Sequence, residues 1–357
     1  MRRLLLLLLV LGAAAAASGE EPPRNVILMI GDGMGVTHLT AGKVTRGVLQ
    51  IERMPVGGLA TTFPIGSFVT DSAASGTALA TGVSTINGMI SMTPDGERPV
   101  TVLERAEQAG MSTGLVVTCS ITHATPAVFA AHVPSRVMEQ EIAAQLAAGG
   151  VDVLFGGGWS WFVPGSVEGS RRRDDTDALA LLESRMPVVR TAEQLRSIGE
   201  VDAAAALLAP GHLPGAAERE MSLAEMTGRA IEILSRNGAG FFLMVEGSQI
   251  DWAGHDNDSG SLIAETIDFD EAVGVALDFA AGDGRTLIVV TADHETGGYA
   301  LLDGSVEDRA VTRAAFATDG HSASMVPIFA YGPGSVPFGG IHPNTFIGAQ
   351  LKLYMER

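Results

Sequence analysis

Short apolar runs recur along the chain at Asn25–Ile30, Leu115–Thr118, Phe241–Val245, Thr286–Val290 and Pro327–Tyr331. They lack the apolar–polar alternation of a half-exposed strand and are too short for ordinary helices. The pattern therefore predicts strands buried on both faces. Helix-like stretches lie between them, at Val100–Ala109, Val137–Leu146, Leu223–Leu234 and Leu262–Ala280. Strands alternating with helices predict an α/β fold, a largely parallel sheet covered on both sides. Ligands of such sheets gather outside the carboxyl ends of the strands, so the residues handed over at that edge matter most.

The first residues read differently. Arg2 and Arg3 precede the apolar run Leu4–Leu11 and the small residues Ala13–Ser18. That is the order of a secretory signal, expected over residues 1–18, with periplasmic or extracellular delivery. Leu4 to Ala17 falls short of the roughly 20 apolar residues of a membrane span. Residues 19–357 are then expected to form a single domain. Within it, residues 159–222 are the least readable part, and Arg171-Arg172-Arg173 followed by Asp174-Asp175 reads as a solvated surface loop.

Cys119 is the only cysteine, so no intramolecular disulfide can form. It follows Leu115-Val116-Val117 and is expected to be a small buried hydrophobe rather than a nucleophile. A formal net charge of −18 argues against nucleic acid or an anionic membrane as partner. An enzyme for anionic substrates would need positive charge concentrated locally, from metals and a well-placed arginine.

The predicted strand ends carry candidates for that task. Asn25–Ile30 runs into Gly31-Asp32-Gly33-Met34-Gly35. Val36 stands where a dinucleotide turn has its third glycine, and Asp32 would repel a pyrophosphate, so the loop suits a cation better. Phe241–Val245 is followed by Glu246, then by Asp251 and His255, which one helical turn puts on one face. Thr286–Val290 leads to Asp293 and His294, and His321 comes just before Pro327–Tyr331. Carboxylates and imidazoles converging on one sheet edge are typical of zinc ligation. His38, His132, His212 and His342 are read as ordinary surface or core residues. Ser72, in Val69-Thr70-Asp71-Ser72-Ala73-Ala74-Ser75, is placed at or near a helix N-terminus, which favours an anion. No G-x-S-x-G elbow surrounds it, so activation by metal fits better than a Ser-His-Asp arrangement. Ser75, the local competitor, is expected to bond backbone.

Taken in order, several segments resemble the alkaline phosphatase family. They are Asp32 in its glycine loop, Thr70-Asp71-Ser72-Ala73-Ala74-Ser75, Thr122-His123-Ala124-Thr125-Pro126, Val245 to Asp251 with Trp252 and His255, Thr291-Ala292-Asp293-His294, and Gly320-His321. The similarity covers about residues 25–355. It implies a three-layer α/β/α sandwich, hydrolysis of phosphate monoesters through a phosphoserine on Ser72, and a homodimer. It also implies two zinc ions and one magnesium ion per chain. Asp251, His255 and His321 would hold one zinc, and Asp32, Asp293 and His294 the other, within reach of Ser72. Glu246, Thr125 and Asp32 would hold the third metal, and Arg136 would grip the phosphate with its planar fork.

Two positions depart from the best-known bacterial pattern. His123 stands where some members carry aspartate, and Trp252 where some carry lysine; both would sit just outside the metal ligands. Imidazole favours zinc or cobalt over magnesium in the third site. The stretch between Tyr299 and His321 is brief, a reduced insertion near 300–320 that implies an open pocket. The alternatives are a phosphodiesterase or sulfatase of the same superfamily, a metal- or phosphate-binding protein without turnover, and a metal-free serine hydrolase. Ser72 together with Arg136 favours monoesters.

Overall fold

The computed structural model describes residues 22–356, so the expected leader at 1–18 lies outside the described residues. Fourteen strands run in chain order: β1 (Asn25–Gly31), β2 (Val56–Thr61), β3 (Ser112–Ser120), β4 (Val153–Gly157), β5 (Val188–Val189), β6 (Ala204–Leu207) and β7 (Phe241–Gly247), then β8 (Thr286–Thr291), β9 (Glu295–Thr296), β10 (Ala300–Ser305), β11 (Ala310–Ala315), β12 (His321–Ser322), β13 (Val326–Tyr331) and β14 (Gly340–Pro343). Ten of them form one sheet in the order β14-β2-β13-β8-β1-β7-β3-β4-β6-β5. Its centre, β8-β1-β7-β3, is parallel, with Ile30 level with both Glu246 and Thr291. Every residue of β1, β7 and β8 is buried, as unbroken apolar runs require of a sheet covered on both faces.

One set of helices (36–46, 223–234 and 259–283) packs together on one face, and another (72–81, 102–108, 124–130 and 344–355) on the other. The three-layer α/β/α sandwich expected from the sequence is the fold observed. Helix Leu223–Leu234 has the predicted bounds, because Ser222 caps it and Glu225 bonds back to the Ser222 N–H. It buries Leu223, Met226, Ala230, Ile231, Ile233 and Leu234, the Leu, Ile and Met side chains each contributing about 1.5–3 kcal/mol of transfer free energy when fully removed from water. The expected helix at 262–280 is longer, Ser259–Asp283, because Asp258 caps its start and Gly284 ends it in the left-handed region.

β13 is the one strand of the main sheet that runs against its neighbours, antiparallel to β8 and to β2. Its N-terminal end therefore lies where the other strands have their C-terminal ends. That reversal is why His321, which precedes β13, can meet residues that follow β1, β7 and β8.

The basic–acidic run at 171–175 is an exposed loop as expected, except at Arg172. Arg171 and Arg173 are exposed, but the Arg172 side chain is only 2% exposed. It is held by both carboxylate oxygens of Asp174 and donates to the carbonyls of Gln140 and Trp161. A cation in an exposed-looking run was buried because its planar fork found acceptors on three sides. The short segment after Tyr299 is a small hairpin, β10–β11, with mostly exposed turns.

Candidate active site and metal centre

Asp32 leaves β1 between glycines. Gly33 has φ +74, and a Cβ there would lie 2.7 Å from Thr296 Oγ1 and 2.8 Å from the Asp251 Cα. Glycine thus lets the turn pass against the helix that carries Asp251. The Gly33 N–H donates to Asp293 Oδ1, as does the His294 N–H. Asp32 and Asp293 are both fully buried, and both Asp32 oxygens and Asp293 Oδ2 have no hydrogen-bond partner in the protein. Buried carboxylate oxygens left this way are costly unless a cation meets them.

His294 stands among these acids. Its Nδ1 faces Thr296 Oγ1, which donates to Asp251 Oδ1. Its Nε2 lies 3.4 Å from Asp32 Oδ1, 3.3 Å from Asp293 Oδ2 and 3.2 Å from Ser72 Oγ. Burial holds the imidazole below its ordinary pKa, in the neutral form that can ligate.

A second group forms on helix Gln249–His255, where Asp251 and His255 sit one turn apart. His321 reaches them through the short β9–β12 ladder, which pairs it with Thr296. His255 Nδ1 bonds the Asp319 carbonyl and His321 Nδ1 the Thr70 carbonyl, so both rings turn Nε2 inward. The two Nε2 atoms are 3.1 Å apart and lie 3.4 and 3.5 Å from Asp251 Oδ1. Two nitrogens on one tetrahedral zinc would be ~3.3 Å apart, given bonds of about 2.0 Å. Ring nitrogens anchored on carbonyls are the usual support of ligating histidines. Burial pushes Asp251 up, but the His255 hydrogen bond and the neighbouring imidazoles hold it well below its ordinary value. His255 is raised to about 9, chiefly by the Asp251 bond.

The third group surrounds Glu246 at the end of β7. Glu246 is fully buried, its Oε1 has no partner, and the adjoining Thr125 Oγ1 is likewise buried without one. Burial, and then the Asp293 charge, push its carboxyl up to about 8. Burial, Asp293, Asp251 and Glu246 push Asp32 well above the ordinary range. These four acids share one dry site and favour positive charge there.

Ser72 opens helix Ser72–Thr81, and the preceding Asp71 caps it through the Ala74 N–H. The other Asp71 oxygen accepts from the Gly88 N–H and from Arg136 Nη1. Arg136 Nη2 reaches His123 Nε2 at 3.2 Å. Arg136 is thus oriented by the residue next to Ser72. Burial, then the charges of Arg136 and His212, lower His123 to about 3.

Every residue carried over from the family motifs lies in or beside these groups. Ser75 bonds backbone as expected, though the carbonyl belongs to Asp293. His132 and His342 stay apart from the metal groups, His132 pairing with Glu104 and His342 bonding the Gly339 carbonyl; His38 is buried close to Thr296 and Asp251, and burial lowers it to about 4. His212 comes nearer than expected. Its ring lies 4.5 Å from Trp252 and its Nδ1 accepts from the Ser120 N–H. Thr296 and Asp71 were missed as contributors: a lone threonine carries no motif, and Asp71 read only as part of the serine segment.

A family model described as alkaline phosphatase matches residues 23–315. Alkaline phosphatase 4 of Bacillus subtilis is 40% identical over 78% of the chain, which spans only 62% of that relative's length. Alkaline phosphatase 3 of the same organism is 34% identical over 92% of the chain and 88% of its own length. The solved alkaline phosphatase of the Antarctic bacterium TAB5 superimposes with a TM-score of 0.87, at 38% identity, covering 94% of this chain and 99% of its own. A histidine-to-aspartate variant of that protein was solved with Mg bound in its M3 site. The chain belongs to the alkaline phosphatase family.

Proposed function

We propose that this chain hydrolyses phosphate monoesters through a phosphoserine on Ser72. Ser72 Oγ bonds to phosphorus as the bond from phosphorus to the alcohol oxygen breaks, and the alcohol leaves with a proton. Water then attacks the same phosphorus, the Oγ–P bond breaks, and phosphate leaves as the serine hydroxyl is restored. Asp251, His255 and His321 would hold one zinc, Asp32, Asp293 and His294 the other, and Glu246 and Thr125, with Asp32, a third cation. Bound cations supply Lewis-acid charge that lowers the serine pKa and neutralises phosphoryl oxygens. Arg136 offers two donors to those oxygens, and the N–H groups opening the Ser72 helix favour the same anion. The observation that carries the reading is Ser72 Oγ at 3.2 Å from His294 Nε2, within the buried acids.

A diesterase or sulfatase uses the same kind of edge, but the arginine fork beside Ser72 suits a terminal phosphoryl group. Export across the inner membrane rests on the leader-like residues 1–18, and a homodimer on family resemblance. No helix among the described residues is long and apolar enough to cross a membrane.

The test is hydrolysis of an aryl phosphate at alkaline pH by wild type, Ser72→Ala, and wild type stripped with chelator and refilled with zinc and magnesium. Stripping should abolish turnover, refilling should restore it, and Ser72→Ala should lose about a thousandfold or more. Acid quenching should trap phosphate on Ser72 in wild type alone. Full activity in Ser72→Ala, or in the stripped protein, overturns the proposal.

A further inference from the structure

Cys119, in β3, was expected to be an inert buried hydrophobe. It is fully buried, yet what it touches is not purely apolar. Its Sγ lies 3.6 Å from Glu246 Oε2. As a thiol it faces two acceptors, Glu246 Oε2 and the nearer Ser120 carbonyl at 3.2 Å, with one proton between them. Sulfur and oxygen on one tetrahedral cation would be ~3.5 Å apart, from bonds of about 2.3 and 2.0 Å. The observed separation matches that spacing. His123 completes a triad: one donor atom from each of Cys119, His123 and Glu246 lies within 4.8 Å of the others. The remaining oxygen of Glu246 and the hydroxyl of Thr125, both fully buried, have no partner.

We propose that Cys119 is a ligand of the third cation site, which therefore presents sulfur, imidazole and carboxylate and takes zinc or cobalt in preference to magnesium. This rests on the reading of Glu246 as a cation ligand. Ligation forms a sulfur–metal bond, breaks the S–H bond and sends one proton to solvent. A thiolate is a soft donor, and magnesium prefers a shell of oxygens and waters. A site of Glu246, Thr125 and Asp32 alone would offer only oxygen.

The experiment uses the whole protein, stripped with chelator and loaded with cobalt. A sulfur-to-cobalt charge-transfer band should appear in the near ultraviolet for wild type and vanish in Cys119→Ala. Cobalt affinity at one site of the variant should fall about tenfold or more. X-ray absorption of the wild type should show a sulfur shell at about 2.3 Å, which decides the matter even if the variant does not fold. A fully loaded, active wild type without either sulfur signal overturns the role of Cys119 and leaves the phosphatase reading intact. A chain that takes up no cobalt overturns both.

Discussion

Ser75 donates its hydroxyl to the main-chain carbonyl of Asp293 at 2.6 Å, tying the helix that Ser72 opens to the strand end that carries Asp293 and His294. Asn344 donates to the same hydroxyl, so a second helix is fixed to the joint. Ser75→Ala leaves a buried carbonyl and a buried amide short of a partner, a loss of about 1–3 kcal/mol. Thermal unfolding should fall by that amount. Turnover should fall further than substrate affinity, because the distance between Ser72 and His294 is what the bond maintains. A variant with lower stability but unchanged kcat would show that the joint is merely structural.

Gly33 and Gly66 give a matched pair. Both have positive φ, +74 and +77, but a Cβ at Gly66 meets nothing within 4 Å while one at Gly33 collides with Thr296 and Asp251. Each alanine substitution should lose about 1–3 kcal/mol through the backbone. Only Gly33→Ala should also lose bound zinc and more than tenfold in activity, because Asp251 must move. Metal content by elemental analysis separates the two. Equal zinc in both variants would remove the argument.

Proton and cation compete for the acids. Glu246 is raised from 4.5 to about 8 and His255 from 6.5 to about 9. In each case the folded state holds its proton more tightly than the unfolded chain. Stability from these groups is full below the unfolded value and is lost as pH rises through the folded one. Chelator-stripped protein should therefore become less stable between about pH 5 and pH 9. Cations bind the deprotonated ligands, so zinc should raise Tm more at the alkaline end. Parallel Tm curves with and without zinc would refute this.

Arg219 pairs with Glu265 and Asp268 of helix Ser259–Asp283, with its own side chain 2% exposed. Arg219→Met strands two buried acids and should lower unfolding free energy in urea by about 3–5 kcal/mol. Combining it with Glu265→Gln and Asp268→Asn should recover part of that loss. No recovery would mean that the charge pairing is not what holds the segment.

The central sheet was legible because parallel, doubly covered strands need unbroken apolar runs, and β1, β7 and β8 have them. The outer strands were not. β2 reads Val-Gly-Gly-Leu-Ala-Thr and β5 is two residues long, so neither carries a periodic signal. The segment at 159–222 hid its order because Arg172 and Arg219 are held inside by ion pairs, and charged residues read as surface. The metal candidates could be read because Glu246 lies at the end of a strand and Asp32, Asp293 and His294 follow strands. Which of them face one another could not, since their convergence depends on strand order and on the reversal of β13. Thr296 is a plain case: it joins Asp251 to His294 only because the two-residue β9–β12 ladder folds it there.

That reversal also governs when the site can exist. Asp32 comes from the first strand, whereas His321 arrives only on the approach to β13, near the end of the described chain. An ion held by Asp251, His255 and His321, as proposed, would clasp that late segment to the helix following the sheet's centre. The chain has one cysteine and cannot staple itself with a disulfide. A ligated ion would close the long intervening loop instead. It would act as a cross-link that a chelator undoes and a reductant leaves alone.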